Sequence, residues 1–395
     1  MANLISRRVS ALNPSATLAM SQKSGELKAR GVDVINLSLG EPDFHTPEFI
    51  KEGAIEAIRD NFSFYTPVAG YLSLREAIAN SIRGADGIEL TADRIVVSNG
   101  AKQALSNVIL ATVNPGDEVI IPTPAWVSYT EMVKLADGVP VTVETTMEEG
   151  FKLTPTKLEA ALTPRSRMLI LCSPSNPTGA VYSSEELQAL VDVLKSRPDV
   201  VVLADEIYRR LIYTGRFRSM GTFPEIADRT VVVNGVSKAY AMTGWRIGYI
   251  SAPLEIAKAC TKLQGQTTSA PCSIAQKAAE TAIAGPQEEV SRMADEFHKR
   301  RDIIMELADA IPGWHTLRPD GAFYIFPDVR DCLNRRYGNR MVATSGDLAM
   351  YLLEEAHVAT VDGAAFGTHG YIRLSYAASE SDIRRAMDRI RQALG

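Results

Sequence analysis

Short apolar runs of strand length recur through the first two thirds of the chain and alternate with longer helical patterns. The runs are Arg94–Ser98, Glu118–Pro122, Arg167–Cys172, Val200–Asp205, Thr230–Asn234 and Ile247–Ser251. Because they lack polar alternation, they predict strands that are buried on both faces. Helical patterns such as Ser184–Ser196 lie between them. This alternation predicts an α/β fold built on a parallel-rich sheet with helices on its faces.

The character of the sequence changes after about residue 285. A long charged helical stretch, Pro286 to Ala310, leads into Gly321–Pro327, Tyr371–Ser375 and a final helix from Ser379. This pattern predicts a smaller α+β domain. Two domains also suit 395 residues, since single cores stop growing beyond about 250–300 residues. We predict an N-terminal arm with part of the small domain (1–47), a large cofactor-binding domain (48–285) and a small domain (286–395).

Composition argues against several kinds of partner. The formal net charge is −5, and no basic run of five or more occurs, so neither nucleic acid nor a membrane surface is the expected partner. The cysteines are scattered without a C-x-x-C pair, which argues against zinc and disulfides and suits a reducing compartment. We find no secretory signal in Met1–Met20 and no run long enough to span a bilayer. A soluble cytoplasmic protein without a metal is expected.

Polar residues follow four of the predicted strands. They are Asn99–Lys102, which opens a helix, Ser173–Gly179, Asp205–Tyr208 and Gly235–Lys238. In an open parallel sheet, ligands bind beyond the carboxyl ends of the strands. These ends would bring together a backbone turn of phosphate size, an amide, an acid with a phenol, and a lysine. Such a set suits an aldehyde cofactor with a phosphate tail.

The segment Gly235–Gly248 resembles the lysine-attachment motif of the class I aminotransferases, the aspartate aminotransferase family. Further matches follow the family order at Asn13–Thr17, Leu39–Asp43, Ser173–Gly179, Ala204–Tyr208 and Tyr371–Ser375. The resemblance runs nearly end to end and is closest to the bacterial branch in which a lysine follows the Gly-Ala turn. It implies the fold type I of pyridoxal-phosphate enzymes, with a mostly parallel seven-stranded sheet and a smaller α+β domain. It also implies pyridoxal 5'-phosphate as the cofactor.

Lys238 follows a buried strand, so burial should lower the pKa of its amine, whereas most lysines are simply solvated. The resemblance identifies Lys238 as the lysine that carries the cofactor and moves the substrate's Cα proton. Asp205, by default a surface acid or helix cap, is implied as the partner of the protonated pyridine nitrogen. Tyr208 and Asn176 are implied to hydrogen-bond the phenolic oxygen of the ring, and Asn176 also suits a plain turn.

The N–H groups at the start of the helix after Gly100 and Ala101 offer an anion site, although a lone Gly-Ala turn is a weak signal. Ser237 and Arg246 would add a hydroxyl group and a fixed charge for the phosphate. Lys102 could assist them, serve the substrate, or be solvated.

Two aromatic residues are implied to contact the cofactor, one in the same subunit and one in the partner subunit. By resemblance, Trp126 stacks on the cofactor ring and contacts the substrate, while a plain core tryptophan is the alternative. Tyr65 resembles the tyrosine that reaches the phosphate of the partner subunit. The family match therefore implies a homodimer with shared active sites.

Substrate recognition would begin at Arg373, a charged residue in a short predicted strand, where such side chains are unusual. The resemblance implies that its guanidinium binds the α-carboxylate through two parallel hydrogen bonds. Gly40 would let the backbone approach the substrate closely, and Asn176 would contribute a further contact.

In the animal-type branch, an arginine from the neighbouring subunit binds the second carboxylate of the substrate. The comparable region here, Gln264–Ala270, contains no arginine. In the branch that this chain resembles, the task falls to Lys102 with Ser15 and Thr17. Asn13 stands where relatives often have lysine, which weakens the case for bulky dicarboxylates such as prephenate.

These observations predict an aminotransferase that converts L-aspartate and 2-oxoglutarate into oxaloacetate and L-glutamate. The alternative is an aminotransferase for aromatic or neutral amino acids or for prephenate. A decarboxylase, aldolase or carbon–sulfur lyase could share the cofactor and fold. A nucleotide-dependent oxidoreductase is disfavoured, because the chain has neither G-x-G-x-x-G after a strand nor G-x-x-x-x-G-K-[ST]. A transcription regulator would need a DNA-binding extension before residue 13.

Overall fold

The computed structural model describes residues 4–395. Its helices are α1 Arg7–Ser10, α2 Ala16–Ala29, α3 Glu48–Arg59, α4 Leu72–Asp86, α5 Gly100–Thr112, α6 Ser128–Leu135, α7 Pro155–Ala161, α8 Ser184–Leu194, α9 Leu254–Thr267, α10 Ser273–Ala284, α11 Glu288–Asp309, α12 Ser345–Glu354 and α13 Glu380–Leu394. Its strands are β1 Ile35–Asn36, β2 Ile95–Asn99, β3 Glu118–Thr123, β4 Val139–Glu144, β5 Ser166–Cys172, β6 Val201–Asp205, β7 Thr230–Gly235, β8 Ile247–Ser251, β9 Tyr324–Ile325, β10 Arg335–Tyr337, β11 Arg340–Val342, β12 Val358–Ala359, β13 Val361–Asp362 and β14 Ile372–Ser375.

The large sheet has seven strands in the order β2-β8-β7-β6-β5-β3-β4. Strand β8 is antiparallel to both of its neighbours, and the other pairs are parallel. The prediction of a mostly parallel seven-stranded sheet is confirmed. Because β8 is reversed, its first residue lies at the edge where the other strands end.

Each apolar run predicted from the sequence is a strand, with bounds that agree within one residue. Strands β6 and β8 are buried along their whole length, as runs without polar alternation require. The sequence did not indicate β4, and the reason is its place at the edge of the sheet. Its residues are exposed or half-buried, and Pro140 interrupts the apolar pattern.

The helix that follows β5 begins where the sequence predicts it. Ser183 caps α8 and forms a capping box with Glu186, in which each side chain accepts a hydrogen bond from the backbone N–H of the other. The predicted helix Ser184–Ser196 is observed as Ser184–Leu194. Ser379 likewise caps the last helix, as its sequence indicates.

The remaining strands form smaller sheets beyond the large one. Strands β13, β14 and β9 form an antiparallel sheet, and β1 pairs in parallel with β12. A shared core joins Ile35 and Leu37 with Phe323, Ile325 and Ile372. The N-terminal segment thus packs with the C-terminal part of the chain. The domain bounds 1–47, 48–285 and 286–395 stay a prediction.

Within residues 4–395, no helix combines the length and apolarity needed to cross a membrane. The same part of the chain contains no group of three or more His, Cys, Asp or Glu side chains arranged to hold a metal ion. The cysteines are free thiols, with Cys260 and Cys332 buried.

Candidate active site

A cavity of about 360 Å³ opens at the edge of the sheet where the parallel strands end. The strand register explains why so many polar residues meet there. Cys172 pairs with Asp205 across β5 and β6, and Asn99 pairs with Ile247 across β2 and β8. Predicted residues that line this cavity are Ser15, Thr17, Gly40, Ala101, Lys102, Trp126, Asn176, Asp205, Tyr208, Ser237, Lys238, Arg246 and Arg373.

Lys238 lies beyond β7 with its amine at the cavity, where Nζ donates a hydrogen bond to the carbonyl oxygen of Gly40 at 2.5 Å. Burial lowers the pKa of this amine to about 8, and the positive charges of Arg373 and Arg246 act in the same direction, opposed by Glu41 and Asp205. A pKa near 8 leaves about a tenth of the amine neutral at pH 7. Only the neutral form of an amine can act as a nucleophile or a base, so this lysine is suited to either role.

Asp205 is the last residue of β6 and is 3% exposed. One carboxylate oxygen accepts a hydrogen bond from the Tyr129 hydroxyl at 2.7 Å, and the other accepts one from the backbone N–H of Ile207 at 3.2 Å. Burial raises the pKa of this carboxyl group, and these two hydrogen bonds oppose the rise. A buried carboxylate that has only neutral donors beside it favours a cationic ligand.

Arg373 in β14 is 1% exposed. Its guanidinium donates hydrogen bonds to the Oδ1 atom of Asn176 at 2.9 Å and to the carbonyl oxygen of Ser38. The rings of Tyr324 and Phe366 lie on it, with centroids 4.6 and 5.0 Å from the guanidinium carbon. Its Nε atom is buried without a hydrogen-bond partner in the described chain. This group is held by neutral partners and is free to bind a carboxylate.

The start of α5 meets Arg246 at the wall of the cavity. The guanidinium of Arg246 donates to the carbonyl oxygens of Thr243 at 2.8 Å and Asn99 at 3.4 Å. Gly100 has a φ of +80°, and a Cβ atom there would lie 2.2 Å from Nη2 of Arg246. A Cβ atom on Gly248 would lie 2.2 Å from the backbone nitrogen of Ala101. These glycines therefore let a guanidinium and a helix N-terminus converge, which suits an anion.

Lys102 lies in the first turn of α5, and its ammonium is 4.9 Å from the ring centroid of Trp126. Burial lowers the pKa of Lys102, and the nearby Arg246 adds to that effect. Ser15 caps α2 through a 3.5 Å hydrogen bond from the backbone N–H of Leu18, and the Oγ1 atom of Thr17 is buried without a partner among the described residues. Lys102 is thus compatible with both roles considered for it.

Two predicted residues do not line the cavity. Gly100 stands directly behind it, at the first position of α5. Tyr65 is fully exposed and makes no contact with the cavity of its own chain. This position agrees with a role toward a second subunit, which stays a prediction.

Several cavity residues were not singled out from the sequence: Glu41, Tyr129, Thr243 and Tyr324. Tyr129 follows Trp126 by three residues, about one helical turn, and this spacing could have indicated it. Glu41 lies inside the matched segment Leu39–Asp43 and accepts a hydrogen bond from the hydroxyl of Thr243. Tyr324 has no local signal, because only the packing of β9 brings it to the site.

The cavity therefore contains charged groups whose hydrogen bonds within residues 4–395 go only to neutral groups. Lys102, Asp205, Lys238, Arg246 and Arg373 all line it, and their polar contacts are with backbone, phenol, amide or ring partners. Asp205 and Arg373 are buried, and leaving a buried charge without an opposite charge beside it is costly, so these two groups are expected where a ligand completes them.

Comparison with known proteins agrees with this arrangement. The family described as "Aminotransferase class I and II" matches residues 32–390. An aspartate/prephenate aminotransferase of Nitrosomonas europaea is 47% identical over 394 residues, which cover 99% of each chain. A bifunctional aspartate aminotransferase and glutamate/aspartate-prephenate aminotransferase of Petunia hybrida is 45% identical over 99% of this chain and 82% of its own.

Solved structures give the same result. The aspartate aminotransferase of Rhizobium meliloti superposes with a TM-score of 0.96 at 42% identity, covering 100% of this chain and 99% of its own. The Thermus thermophilus aspartate aminotransferase with maleate superposes with a TM-score of 0.92 at 43% identity, covering 99% and 100%. The expected fold type is confirmed. With the matched profile, the full-length relatives and the cavity in agreement, the chain belongs to the class I and II aminotransferase family.

Proposed function

We propose that this aminotransferase uses pyridoxal 5'-phosphate to transfer the amino group of L-aspartate to 2-oxoglutarate, giving oxaloacetate and L-glutamate. The observation that carries the proposal is a set of charged groups around one cavity that form hydrogen bonds only with neutral partners: the amine of Lys238, the carboxylate of Asp205 and the guanidinium of Arg373. The names of the relatives support the choice of aspartate.

The residues present fit the cofactor. The N-terminus of α5, Ser237 and Arg246 would hold its phosphate, and the absence of a side chain on Gly100 lets the guanidinium of Arg246 lie directly against the start of this helix. The buried carboxylate of Asp205 would pair with its pyridinium nitrogen. The ring of Trp126 offers a stacking face. When bound, the cofactor supplies an aldehyde that accepts amino groups and a ring that withdraws electrons.

The side chains of this protein would transfer the proton and position the substrate. The Nζ atom of Lys238, neutral in part at pH 7, takes the proton from the substrate's Cα. Arg373 fixes the α-carboxylate, and the hydrogen bonds to Asn176 and Ser38 fix the plane of its guanidinium beforehand. The amide nitrogen of Asn176 is left to face the ligand, because Oδ1 is already used. The rings of Tyr324 and Phe366 pack on the guanidinium of Arg373 and shield it from water, which strengthens its attraction for a carboxylate.

Amino-donor profiling tests this proposal most directly. Purified protein is loaded with pyridoxal phosphate and assayed with 2-oxoglutarate and each amino acid in turn, with glutamate formation as the signal. The highest kcat/KM is expected for aspartate. Consumption of aspartate without an acceptor would instead indicate a decarboxylase or lyase, and a preference for aromatic or neutral donors would refute the substrate assignment.

Lys102→Ala should selectively impair dicarboxylic substrates. The ammonium is the cation of the first turn of α5, and Ser15 and Thr17 line the same cavity, so it is suited to the distal carboxylate. Removing a charge-assisted hydrogen bond costs about 1.5–3 kcal/mol, so kcat/KM for aspartate should fall about 10- to 150-fold. Alanine as donor is the matched substrate control. Equal losses for aspartate and alanine would assign Lys102 to the phosphate instead.

Prephenate is a second candidate acceptor, because several of the relatives are named for it. Against it, Asn13 stands where a lysine is expected in this branch, and its backbone and side-chain nitrogens donate to the carboxylate of Glu131 at 2.8 and 3.3 Å. An assay with prephenate as acceptor and glutamate or aspartate as donor separates the two activities.

We also propose that the functional unit is a homodimer with shared active sites. Tyr65 is fully exposed and its neighbour Phe64 is 79% exposed, so together they form a large exposed aromatic surface. Burial of this surface against a second copy would bring Tyr65 to the partner's phosphate site. Sedimentation of the loaded protein as a monomer that is fully active would contradict this proposal.

A further inference from the structure

Tyr324 joins three parts of the site that lie far apart in sequence. It begins β9, which pairs with β14, where Ser375 is its partner and Arg373 lies two residues earlier. Its side chain is fully buried. Its hydroxyl group is 2.8 Å from the hydroxyl group of Tyr208, at the end of the large sheet. Tyr324 is thus the direct contact between the strand that carries Arg373 and the segment that carries Tyr208.

The face of the Tyr324 ring packs against the guanidinium of Arg373. The guanidinium carbon lies 4.6 Å from the ring centroid, a distance at which the cation is attracted to the π electrons. A cation over the ring also withdraws electron density and makes the phenol a better hydrogen-bond donor. A carboxylate that binds Arg373 reduces this effect, so the hydroxyl group of Tyr324 senses whether Arg373 has a ligand.

The hydroxyl of Tyr324 has little freedom to move away. A Cβ atom on Gly40 would lie 2.2 Å from this hydroxyl oxygen, so the Gly40 backbone packs directly against it. The same glycine accepts the hydrogen bond from the Nζ atom of Lys238. The hydroxyl is therefore confined between the Gly40 backbone and the hydroxyl of Tyr208.

A tyrosine hydroxyl has one proton to donate. If Tyr208 donates its proton to an oxygen of a ligand in the cavity, the bond between the two tyrosines must use the proton of Tyr324. That bond polarises the hydroxyl of Tyr208 and strengthens its own donation, as in other hydrogen-bonded chains.

We propose that Tyr324 is a positioning residue that couples carboxylate binding at Arg373 to the hydrogen bond that Tyr208 donates to the cofactor. The inference rests on the proposed function, since it requires the phenolic oxygen of pyridoxal phosphate as the acceptor. Through this chain, Tyr324 stabilises negative charge on that oxygen while Arg373 is empty, and does so less once a substrate carboxylate has bound.

Tyr324→Phe tests the coupling by removing the hydroxyl and keeping the ring. Loaded protein is titrated from acid to alkaline pH, and the midpoint of the change in the visible absorption band of bound pyridoxal phosphate is recorded. Loss of one hydrogen bond should raise this midpoint by about 0.5 to 1 pH unit. Maleate, a dicarboxylate without an amino group, should raise the midpoint less in the variant than in the wild type.

Tyr376→Phe is the matched control. Tyr376 is a fully buried tyrosine next to β14, and its hydroxyl donates to the carbonyl oxygen of Ala322 at 3.3 Å, outside the cavity. In Tyr376→Phe, the pH midpoint of the absorption change and its shift with maleate should equal those of the wild type. Should Tyr324→Phe fail to fold, 3-fluorotyrosine at position 324, a more acidic donor of nearly the same shape, should lower the midpoint.

The outcomes separate the two proposals. Wild-type protein that develops no visible band with pyridoxal phosphate would overturn the proposed function. A normal band, with the same midpoint and the same maleate response in Tyr324→Phe as in the wild type, would overturn the coupling alone. Equal shifts in Tyr324→Phe and Tyr376→Phe would also overturn it, because they would reflect general loosening of the small sheet.

Discussion

Lys238→Ala should abolish transamination and the visible absorption that develops when pyridoxal phosphate is added. The amine of Lys238 donates to the Gly40 carbonyl at the cavity, and its pKa of about 8 provides the neutral base that the reaction needs. Loss of a general base alone costs about 10²- to 10⁴-fold in rate, and loss of the covalent attachment adds to it. The decrease in kcat should therefore reach at least about 10⁴-fold.

Lys299→Ala is the matched control for this loss. Lys299 is an exposed lysine of α11 and does not line the cavity. The same substitution there should leave the absorption band and kcat at wild-type values. Turnover by Lys238→Ala within tenfold of the wild type would show that another group does the proton transfer. Lys102, the other lysine of the cavity, would then be the next residue to replace.

Arg373→Leu should lower kcat/KM for every amino acid by about 30- to 5000-fold, because loss of one partner of a buried charge pair costs about 2–5 kcal/mol. Leucine keeps apolar packing between Tyr324 and Phe366. The thermal stability of Arg373→Leu should not decrease, although its activity does. In the ligand-free chain this guanidinium is buried without a carboxylate partner, and burial lowers its pKa, so an apolar replacement is neutral or stabilising.

Steady-state kinetics and thermal unfolding of the ligand-free protein measure both parts of this expectation. Arg301→Leu is the contrasting variant, because Arg301 is also a buried arginine but donates to Asp302 and to the carbonyl oxygen of Pro319, away from the cavity. It should lower the Tm and leave kcat/KM nearly unchanged. If Arg373→Leu instead lost stability and kept its kcat/KM, the guanidinium would be a structural group and the assignment would be wrong.

How far the sequence predicts this structure depends on how local the signal is. Strand β6 was visible because both of its faces are buried, so its residues form an unbroken apolar run. Strand β4 was missed because an edge strand is half exposed and needs no such run. Lys238 and Asp205 could be singled out because Asp205 ends β6 and Lys238 follows β7 by three residues, each within a segment that matches the family.

Other parts of the site depend on contacts that no short segment contains. Tyr324 lies 116 residues from Tyr208 in sequence, and the pairing of β9 with β14 positions it in the fold. The hydroxyl of Tyr129 reaches Asp205 across 76 residues. Tyr65 is fully exposed and is not among the described residues that line the cavity, so the role predicted for it would require a second copy of the chain. Such residues are identified by the family resemblance or by the folded structure, because the local sequence pattern does not single them out.

The reversal of β8 has a consequence for how this site is encoded. Parallel neighbours need a crossover of a dozen or more residues, usually a helix on one face of the sheet. Because β8 runs back beside β7, the chain turns at the cavity edge and places Lys238 and Arg246 on one loop, residues 236–246, without leaving the site. An amine and a guanidinium that line one cavity are thereby encoded in a single uninterrupted stretch of sequence, so that a single sequence motif can identify both.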